Sequence, residues 1–469
     1  MATGYGSALR ARSAVRRVER HRPPDGGALE YGRMRLTNVA LMACPAGRLH
    51  TYGVRVAPDP GRRLPVSFDQ GRHVVEGQRP GSWMAVAVRL PAPAGLGELA
   101  AAWDAVVGRH GTLRTAFSLE YDDELLLNEV EVGRGEWVEH RVAPGRATRE
   151  VLREVLDTTC RPFDRPSHRL CVVQPDESDD DPRPALVVAA DHAHVDMWSL
   201  LTLVRDLLAC LDDVRAGRTP GAGLPPAPSF AEHTQALLDL PREPPHVRRR
   251  WFGILDAEGG AMPAFPLPLG DLTPAPPEVV EVRDVLDAAA CQRFSERATA
   301  DGVRTIALAV SVLTRVTADL TGRPLRAVFP VHSRHEQRWH DSCGWFITNA
   351  VIESDDPDPE ASATAVREAI GLGSWPLGPI LAPYGGMPVR PGMFALSWLD
   401  TRRLPIRLDP ALELQYVSAA IRTDGVMVWF VVNDEGMHLR ARYPDTPQAR
   451  ASVGRWLDAV EEGLRAVVA

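Results

Sequence analysis

Four ionisable side chains lie within six residues of the sequence. They are Asp191, His192, His194 and Asp196, and they follow an apolar stretch over Pro184–Ala190. A neutral imidazole at the end of a strand can take a proton from a hydroxyl or amine as that group attacks a carbonyl carbon. An aspartate four residues further on can pair with an arginine and hold the loop that presents the imidazole. The spacing predicts His192 as a general base and Asp196 as the residue that supports it.

Two other interpretations of this cluster stay open at this point. In the first, Asp196 only caps a helix and the histidines face solvent. In the second, the cluster binds a metal, because His192-x-His194-x-Asp196 resembles the H-x-H-x-D-H signature of metallo-β-lactamase-like hydrolases. Met197 stands where that signature has its last histidine. The later histidines lie together in one polar loop, at His332, His335 and His340.

Composition excludes several classes of chemistry. All 53 basic residues are arginine, so a P-loop lysine, a Schiff-base lysine for pyridoxal phosphate and a lysine general base are excluded. With 41 Pro and 38 Gly, this composition points to a GC-rich, actinobacterial genome.

The net charge of −8 argues against a broad nucleic-acid-binding face. No apolar run approaches the roughly 18 residues of a membrane span. Six scattered cysteines without a C-x-x-C pair are typical of reduced thiols in the cytoplasm.

The spacing of apolar residues predicts the elements that position the cluster. Pro184–Ala190 predicts a buried strand, and Asp196 is a suitable N-cap for a helix with apolar residues at helical spacing over Met197–Leu211. Upstream, Leu99–Val107 predicts a helix, and Leu113–Phe117 predicts a strand after it.

The second half of the chain repeats this alternation, and the Gly- and Pro-rich stretch Ala216–Pro228 predicts a connection between two lobes. We predict an α/β chain with an N-terminal lobe over 34–225 and a C-terminal lobe over 226–469. Residues 1–33 are expected to form a disordered extension, and Met34 is a candidate translational start. The predicted elements of the second half are helices at Ala288–Ala300, Thr305–Leu320 and Glu360–Ile370, and strands at Leu325–Val331, Trp345–Ile352, Met393–Leu399, Leu412–Ala420, Val426–Val432 and His438–Tyr443.

Four segments resemble the motifs of nonribosomal peptide synthetase condensation domains. Asp191–Ser199 resembles their HHxxxDGWS core and keeps its second His, its Asp and its Trp-Ser. The other three are His110-Gly-Thr-Leu-Arg114-Thr-Ala-Phe117, which resembles RHxxLRxxF; Arg161-Pro-Phe-Asp164, which resembles PFD; and Val331-His-Ser-Arg334 with Gly344-Trp-Phe346-Ile-Thr-Asn349, which resembles SGR…VGxFxN. Because the four occur in the family's order over about 240 residues, the chain is identified as a member of the condensation-domain, or chloramphenicol-acetyltransferase-like, superfamily.

Two details are similar to actinobacterial polyketide-associated acyltransferases. One is the Asp-His-x-His-x-Asp form of the core motif, and the other is the segment Phe265-Pro-Leu-Pro-Leu-Gly270-Asp271. Those acyltransferases are free-standing enzymes. No segment of this sequence resembles a carrier or adenylation domain, which favours the free-standing class.

The resemblance implies a fold, a reaction and a set of site residues. The fold would be two chloramphenicol-acetyltransferase-like lobes in a pseudo-dimer with a tunnel at their interface. The reaction would move an acyl group from a thioester, on carrier-protein 4′-phosphopantetheine or on CoA, to a hydroxyl or amine in natural-product or lipid biosynthesis. We expect a monomer that works with an acyl or peptidyl carrier protein and a small-molecule acceptor, with no metal and no tightly bound cofactor. The implied residues are His192 and Asp196 as the catalytic pair; Met197, Trp198, Ser199, His194 and Asn349 as substrate-binding residues; and Asp191, Arg334 and Arg114 as structural support.

The sequence also departs from the family's pattern. Asp191 replaces the first His of the core motif, and Met197 replaces the Gly that follows Asp196, in the family's substrate channel. A late DFGWG motif has no clear equivalent. The loss of the glycine leaves a second function open, in which a non-catalytic member docks carrier proteins or tailoring enzymes.

Overall fold

The computed structural model describes residues 35–120, 124–177 and 179–469, so the predicted extension over 1–33 and the candidate start at Met34 lie outside the described residues. The strands are β1 Arg35–Asn38, β2 Gly47–Val56, β3 Arg63–Leu64, β4 Trp83–Arg89, β5 Thr115–Leu119, β6 Leu125–Glu129, β7 Val132–His140, β8 His168–Pro175, β9 Ala185–Asp191, β10 Glu278–Asp287, β11 Leu325–His332, β12 Ile347–Ser354, β13 Phe394–Asp400, β14 Gln415–Ser418, β15 Val426–Asn433 and β16 Gly436–Pro444. The helices are α1 Phe68–Val74, α2 Leu96–Arg109, α3 Thr148–Thr159, α4 Met197–Arg215, α5 Phe230–Leu238, α6 Pro245–Ala257, α7 Ala288–Ala300, α8 Thr305–Thr321, α9 Pro359–Leu372, α10 Leu377–Leu381 and α11 Pro447–Ala466.

The first large sheet holds the strand that leads into the candidate site. Its order is β1-β14-β4-β9-β8-β2-β7, and all seven residues of β9 are buried. Val86 and Val188 pack on one face with α2 and α4, whereas Ala85 and Val187 pack on the other face with α3. Because alternate residues of the central strands are buried on opposite faces, these strands are apolar almost throughout.

The second large sheet has the order β10-β16-β15-β13-β11-β12. One of its faces packs Val428 and Phe430 against α7, α8 and α11, and Trp456 of α11 is fully buried there. Its other face carries Val431 and Leu399, which join the core cluster of α2 and α4. The two layered halves therefore share a packed junction. A third, smaller sheet has the order β3-β6-β5.

One strand does not follow the predicted division of the chain. β14 lies within the second half, yet it pairs in parallel with β1 and antiparallel with β4 of the first sheet. Tyr416 is buried on one face of that sheet and Val417 on the other, so β14 fits a two-sided core. The boundary predicted at 225/226 therefore separates this strand along the chain from the strands with which it pairs. The strand predicted over Leu412–Ala420 is shorter than expected, at four residues.

The elements next to the candidate site follow their local signals. Asp196 caps α4, as predicted, and α7 has the predicted bounds. The predicted strand at Leu113 is wrong at its start, because Gly111–Arg114 forms a turn of 3₁₀ helix and β5 begins at Thr115. Within the described part of the chain, no helix is both long enough and apolar enough to cross a membrane.

Candidate active site

Two aspartates in series shape the turn between β9 and α4. The Asp191 carboxylate accepts a hydrogen bond from the Ala193 amide (2.9 Å), at the start of a 3₁₀ turn over His192–His194. The Asp196 carboxylate accepts one from the Ser199 amide (2.7 Å), at the start of α4. Each caps backbone N–H groups that have no partner within their own turn. The chain therefore leaves a buried strand, presents His192 and enters a helix within six residues.

The His192 ring is held in one orientation. Its Nδ1 lies 3.0 Å from the Val195 carbonyl oxygen, which can only accept a hydrogen bond. We therefore assign the proton to Nδ1, and this leaves Nε2 with a free lone pair. Trp345, from the second half of the chain, stacks on the ring with a centroid distance of 3.9 Å and an interplanar angle of 21°.

The same surroundings keep His192 neutral. Burial lowers the pKa of His192 to about 4, and the neighbouring His73 imidazole adds to this effect. The half-buried ring is therefore uncharged at neutral pH and can accept a proton at Nε2. This combination of tautomer, orientation and charge is what a general base requires.

Asp196 is engaged entirely within the protein. Arg334 donates to both of its carboxylate oxygens, at 2.6 and 3.1 Å, and the Phe346 amide donates to one of them at 3.0 Å. Burial alone would raise the pKa of Asp196, but Arg334 and the bonds from Ser199 hold it below its ordinary value. A charged carboxylate with these partners, 2% exposed, supports the turn that carries His192 and does not face a substrate.

Arg334 connects several parts of the junction between the halves. It is 2% exposed, and it donates to Ser199 Oγ (2.7 Å) and to the Ser342 carbonyl (3.2 Å). Its guanidinium also lies 4.0 Å above the Phe346 ring. Arg334 thus forms an ion pair with Asp196 and also bonds to the segment around Ser342.

Ser199 and Trp198, which were expected to bind substrate, both form hydrogen bonds to the 333–346 segment. The buried Ser199 hydroxyl donates to the Gly344 carbonyl (2.9 Å) and accepts from the Gly344 amide (3.0 Å) as well as from Arg334. Trp198 is 8% exposed, and its indole N–H donates to the His340 carbonyl (3.0 Å). Both side chains therefore attach α4 to the 333–346 segment.

His194, which was expected to bind substrate, is buried in the first half of the chain. Its buried ring packs against Phe117, and Nδ1 lies 3.4 Å from Thr115 Oγ1. His192 stacks on Trp345, His194 packs on Phe117, and Asp196 pairs with Arg334. The three side chains therefore lie in three different environments. Within the described ranges, no group of three or more His, Cys, Asp or Glu side chains converges as a metal site would require. The geometry therefore does not support the metallo-hydrolase interpretation.

The remaining expected residues lie at varying distances from the turn. Asn349 donates to Asp69 of α1 (3.0 Å), which joins the second half of the chain to the first. Arg114 lies 3.7 Å from Glu129 of the small sheet. Met197 is the half-buried first residue of α4 and packs against the core of the first half.

Three residues near His192 were not found by the sequence analysis. Trp345 covers its ring, His73 contacts Asp191, and Gln70 donates to the Ala193 carbonyl (2.9 Å). The capping-box pattern Ser67-x-x-Gln70 could have revealed helix α1, which carries two of them. No local pattern links that helix to a turn more than 110 residues further along the chain.

Comparisons with known proteins agree with this architecture. No protein-family model matches the chain. It is similar to the acyltransferase PapA3 of Mycobacterium tuberculosis, at 24% identity over 451 residues that cover 90% of this chain and 92% of the relative. Its fold is similar to the solved structure of the PapA2 acyl transferase, with a TM-score of 0.79, 18% identity and coverage of 93% and 100% of the two chains. It is also similar to the first condensation domain of the calcium-dependent antibiotic synthetase, with a TM-score of 0.67, 14% identity and coverage of 88% and 98%.

The chain therefore has the two-lobed α/β fold of the condensation-domain superfamily, as the sequence motifs predicted. Its sequence and fold are thus similar to those of acyltransferases such as PapA3 and PapA2.

Proposed function

We propose that this chain moves an acyl group from a thioester to a hydroxyl or amine acceptor, with His192 as general base. The observation that carries the proposal is the bond from His192 Nδ1 to the Val195 carbonyl, which leaves Nε2 unprotonated. The oxygen or nitrogen of the acceptor attacks the thioester carbonyl, and Nε2 of His192 takes the proton that this oxygen or nitrogen loses. The tetrahedral intermediate collapses and expels the thiolate. The imidazolium returns its proton to that sulfur, so the products are an ester or amide and a free thiol.

The low pKa of His192 suits the second half of this cycle. An imidazole with a pKa of about 4 is a weak base, but its imidazolium is a strong acid that readily protonates a departing thiolate. Contact between His192 and Trp345 supports a site at the junction of the two halves, where we place the substrate tunnel.

The donor is a substrate and not a resident cofactor. We propose that it is an acyl group on 4′-phosphopantetheine of a carrier protein, or on CoA, and that the enzyme acts as a monomer in natural-product or lipid biosynthesis. The six cysteines are unpaired, which suits the reducing cytoplasm that we propose as its location.

Intact-protein mass spectrometry tests whether the chain is a catalyst. Acyl-loaded carrier protein and, separately, acyl-CoA are incubated with the purified chain and a panel of alcohols and amines. We expect loss of the acyl mass from the donor and formation of an acylated acceptor in equal amounts. Stable binding of the loaded carrier without any transfer would contradict the proposal and support the docking function.

A further inference from the structure

A second imidazole lies beside the candidate base. His73, in the last turn of α1, has its Nε2 3.1 and 3.3 Å from the two carboxylate oxygens of Asp191. Its Nδ1 lies 3.0 Å from Nη2 of Arg79. A guanidinium only donates and a carboxylate only accepts, so the contacts assign a neutral His73 with its proton on Nε2. The ring centroids of His73 and His192 are 6.0 Å apart.

Asp191 transmits this contact to the turn that presents His192. Its carboxylate is fully buried and also accepts from the Ala193 amide. Burial would raise the pKa of Asp191, but the hydrogen bond from His73 holds that pKa below its ordinary value. Without His73, a buried carboxylate would lose its principal side-chain donor.

Helix α1 holds the same turn at a second point. Gln70, three residues before His73 and on the same face of the helix, donates to the Ala193 carbonyl. The turn around Ala193 is thus bonded through its carbonyl to Gln70, and through its amide and Asp191 to His73. These contacts also account for Asp191, where the chain departs from the HHxxxDG pattern, because a carboxylate at this position accepts a hydrogen bond from an imidazole of α1.

We propose that His73 is a positioning residue for His192. Its Nε2–H fixes Asp191, Asp191 fixes the 3₁₀ turn, and the turn keeps the His192 ring in the orientation and tautomer that leave Nε2 free. Arg79 keeps His73 in the tautomer that this requires. The inference rests on the proposed function of His192, but its test measures directly which ring nitrogen of each histidine carries the proton.

The test is nuclear magnetic resonance of the full chain labelled with ¹⁵N-histidine, at pH 7. Long-range ¹H–¹⁵N correlations show which ring nitrogen carries the proton, and signals are assigned by their loss in His192→Gln and His73→Gln. In the wild type we expect the proton on Nδ1 of His192 and on Nε2 of His73. In His73→Leu the His192 signal should become an average of both tautomers. In His73→Gln, whose amide can still donate to Asp191, it should keep the wild-type pattern.

Two further variants complete the design. His246→Leu removes an exposed histidine of α6 and should leave the His192 signals unchanged. Arg79→Leu removes the donor to His73 Nδ1 and should shift the His73 tautomer, which keeps the test decisive if His73→Leu does not fold. A wild-type His192 tautomer in every folded protein of the pair His73→Leu and Arg79→Leu would overturn the inference.

Turnover separates positioning from direct action on the substrate. With a working donor, His73→Leu should lower kcat about tenfold or more at unchanged KM, and His73→Gln should recover most of it. A large loss in kcat with wild-type His192 signals would show that His73 acts on substrate itself and would overturn the positioning role. No transfer by the wild type with any donor would instead contradict the proposed function, while the ring signals would still decide this inference.

Discussion

His192 and Asp196 lie on the same turn, but their surroundings give them different tasks. His192 is half-buried, has a free Nε2 and stacks on Trp345 from the second half of the chain. Asp196 is closed off by Arg334 and two backbone amides. A proton acceptor needs an accessible lone pair, whereas a structural carboxylate needs all its lone pairs occupied. Substitutions at the two positions should therefore have different consequences.

The Asp196→Ala substitution should destabilise the fold as well as stop turnover. It leaves the buried Arg334 guanidinium without its carboxylate, and breaking a buried pair in this way costs about 3–5 kcal/mol. Urea unfolding measures the difference. Asp458→Ala is the matched control, because Asp458 also pairs with an arginine but is 72% exposed, and its loss should change stability little. An inactive Asp196→Ala protein of wild-type stability would show that the carboxylate acts on substrate.

At the scale of elements, the features that could be predicted are those that depend on residues close together in the sequence. The cap at Asp196 and the apolar spacing of α4 are local, and the structure has both where they were expected. The pairing of β14 with β1 and β4 could not be predicted, because its partners are more than 300 residues away and its own apolar pattern fits either sheet. For the same reason the contact between His73 and Asp191 was not found.

A hydroxyl of strand β14 forms hydrogen bonds to the second sheet. Ser418 Oγ accepts from Arg440 Nη2 (2.8 Å) and from Arg442 Nη2 (3.0 Å) of β16. Arg440 is 1% exposed, so the loss of this acceptor leaves a buried donor without a partner. Such a loss costs about 1–3 kcal/mol.

We therefore expect Ser418→Ala to lower the free energy of unfolding by about that amount in urea titrations. The control is Ser374→Ala. It removes a hydroxyl that donates to the Ile370 carbonyl, four residues earlier in the chain, and it should have a small effect. Equal stability of the two variants would show that the hydroxyl does not hold the strand to the second sheet.

At the scale of the whole molecule, buried neutral histidines make the fold sensitive to acid. Burial lowers the pKa of His168 to about 3 and that of His233 to about 4. Each ring uses Nε2 to donate to a carbonyl, of Leu113 and Ser333 respectively. The buried Nδ1 atoms have no hydrogen-bond partner in the part of the chain that the structure describes. A proton added there would have no acceptor.

Stability should therefore fall as the pH falls from about 6.5 towards 4. In this window the unfolded chain, with an ordinary histidine pKa of about 6.5, binds protons that the folded chain excludes. By pH 5 each of these two histidines should cost about 2 kcal/mol. Urea unfolding between pH 7 and 5 measures the loss. The loss should be smaller by about that amount in His168→Gln and unchanged in the exposed-site control His246→Gln. Identical pH dependence in all three proteins would contradict this account.

The central claim is that the Nε2 lone pair of His192 takes the acceptor's proton. The most direct measurement is the turnover of His192→Ala with a working thioester donor and acceptor, beside His246→Ala as control. A general base contributes about 10²–10⁴-fold in rate. We expect His192→Ala to lose that much kcat while its melting temperature and donor binding stay near wild type, and His246→Ala to keep full turnover. Near-native turnover by His192→Ala would contradict the claim.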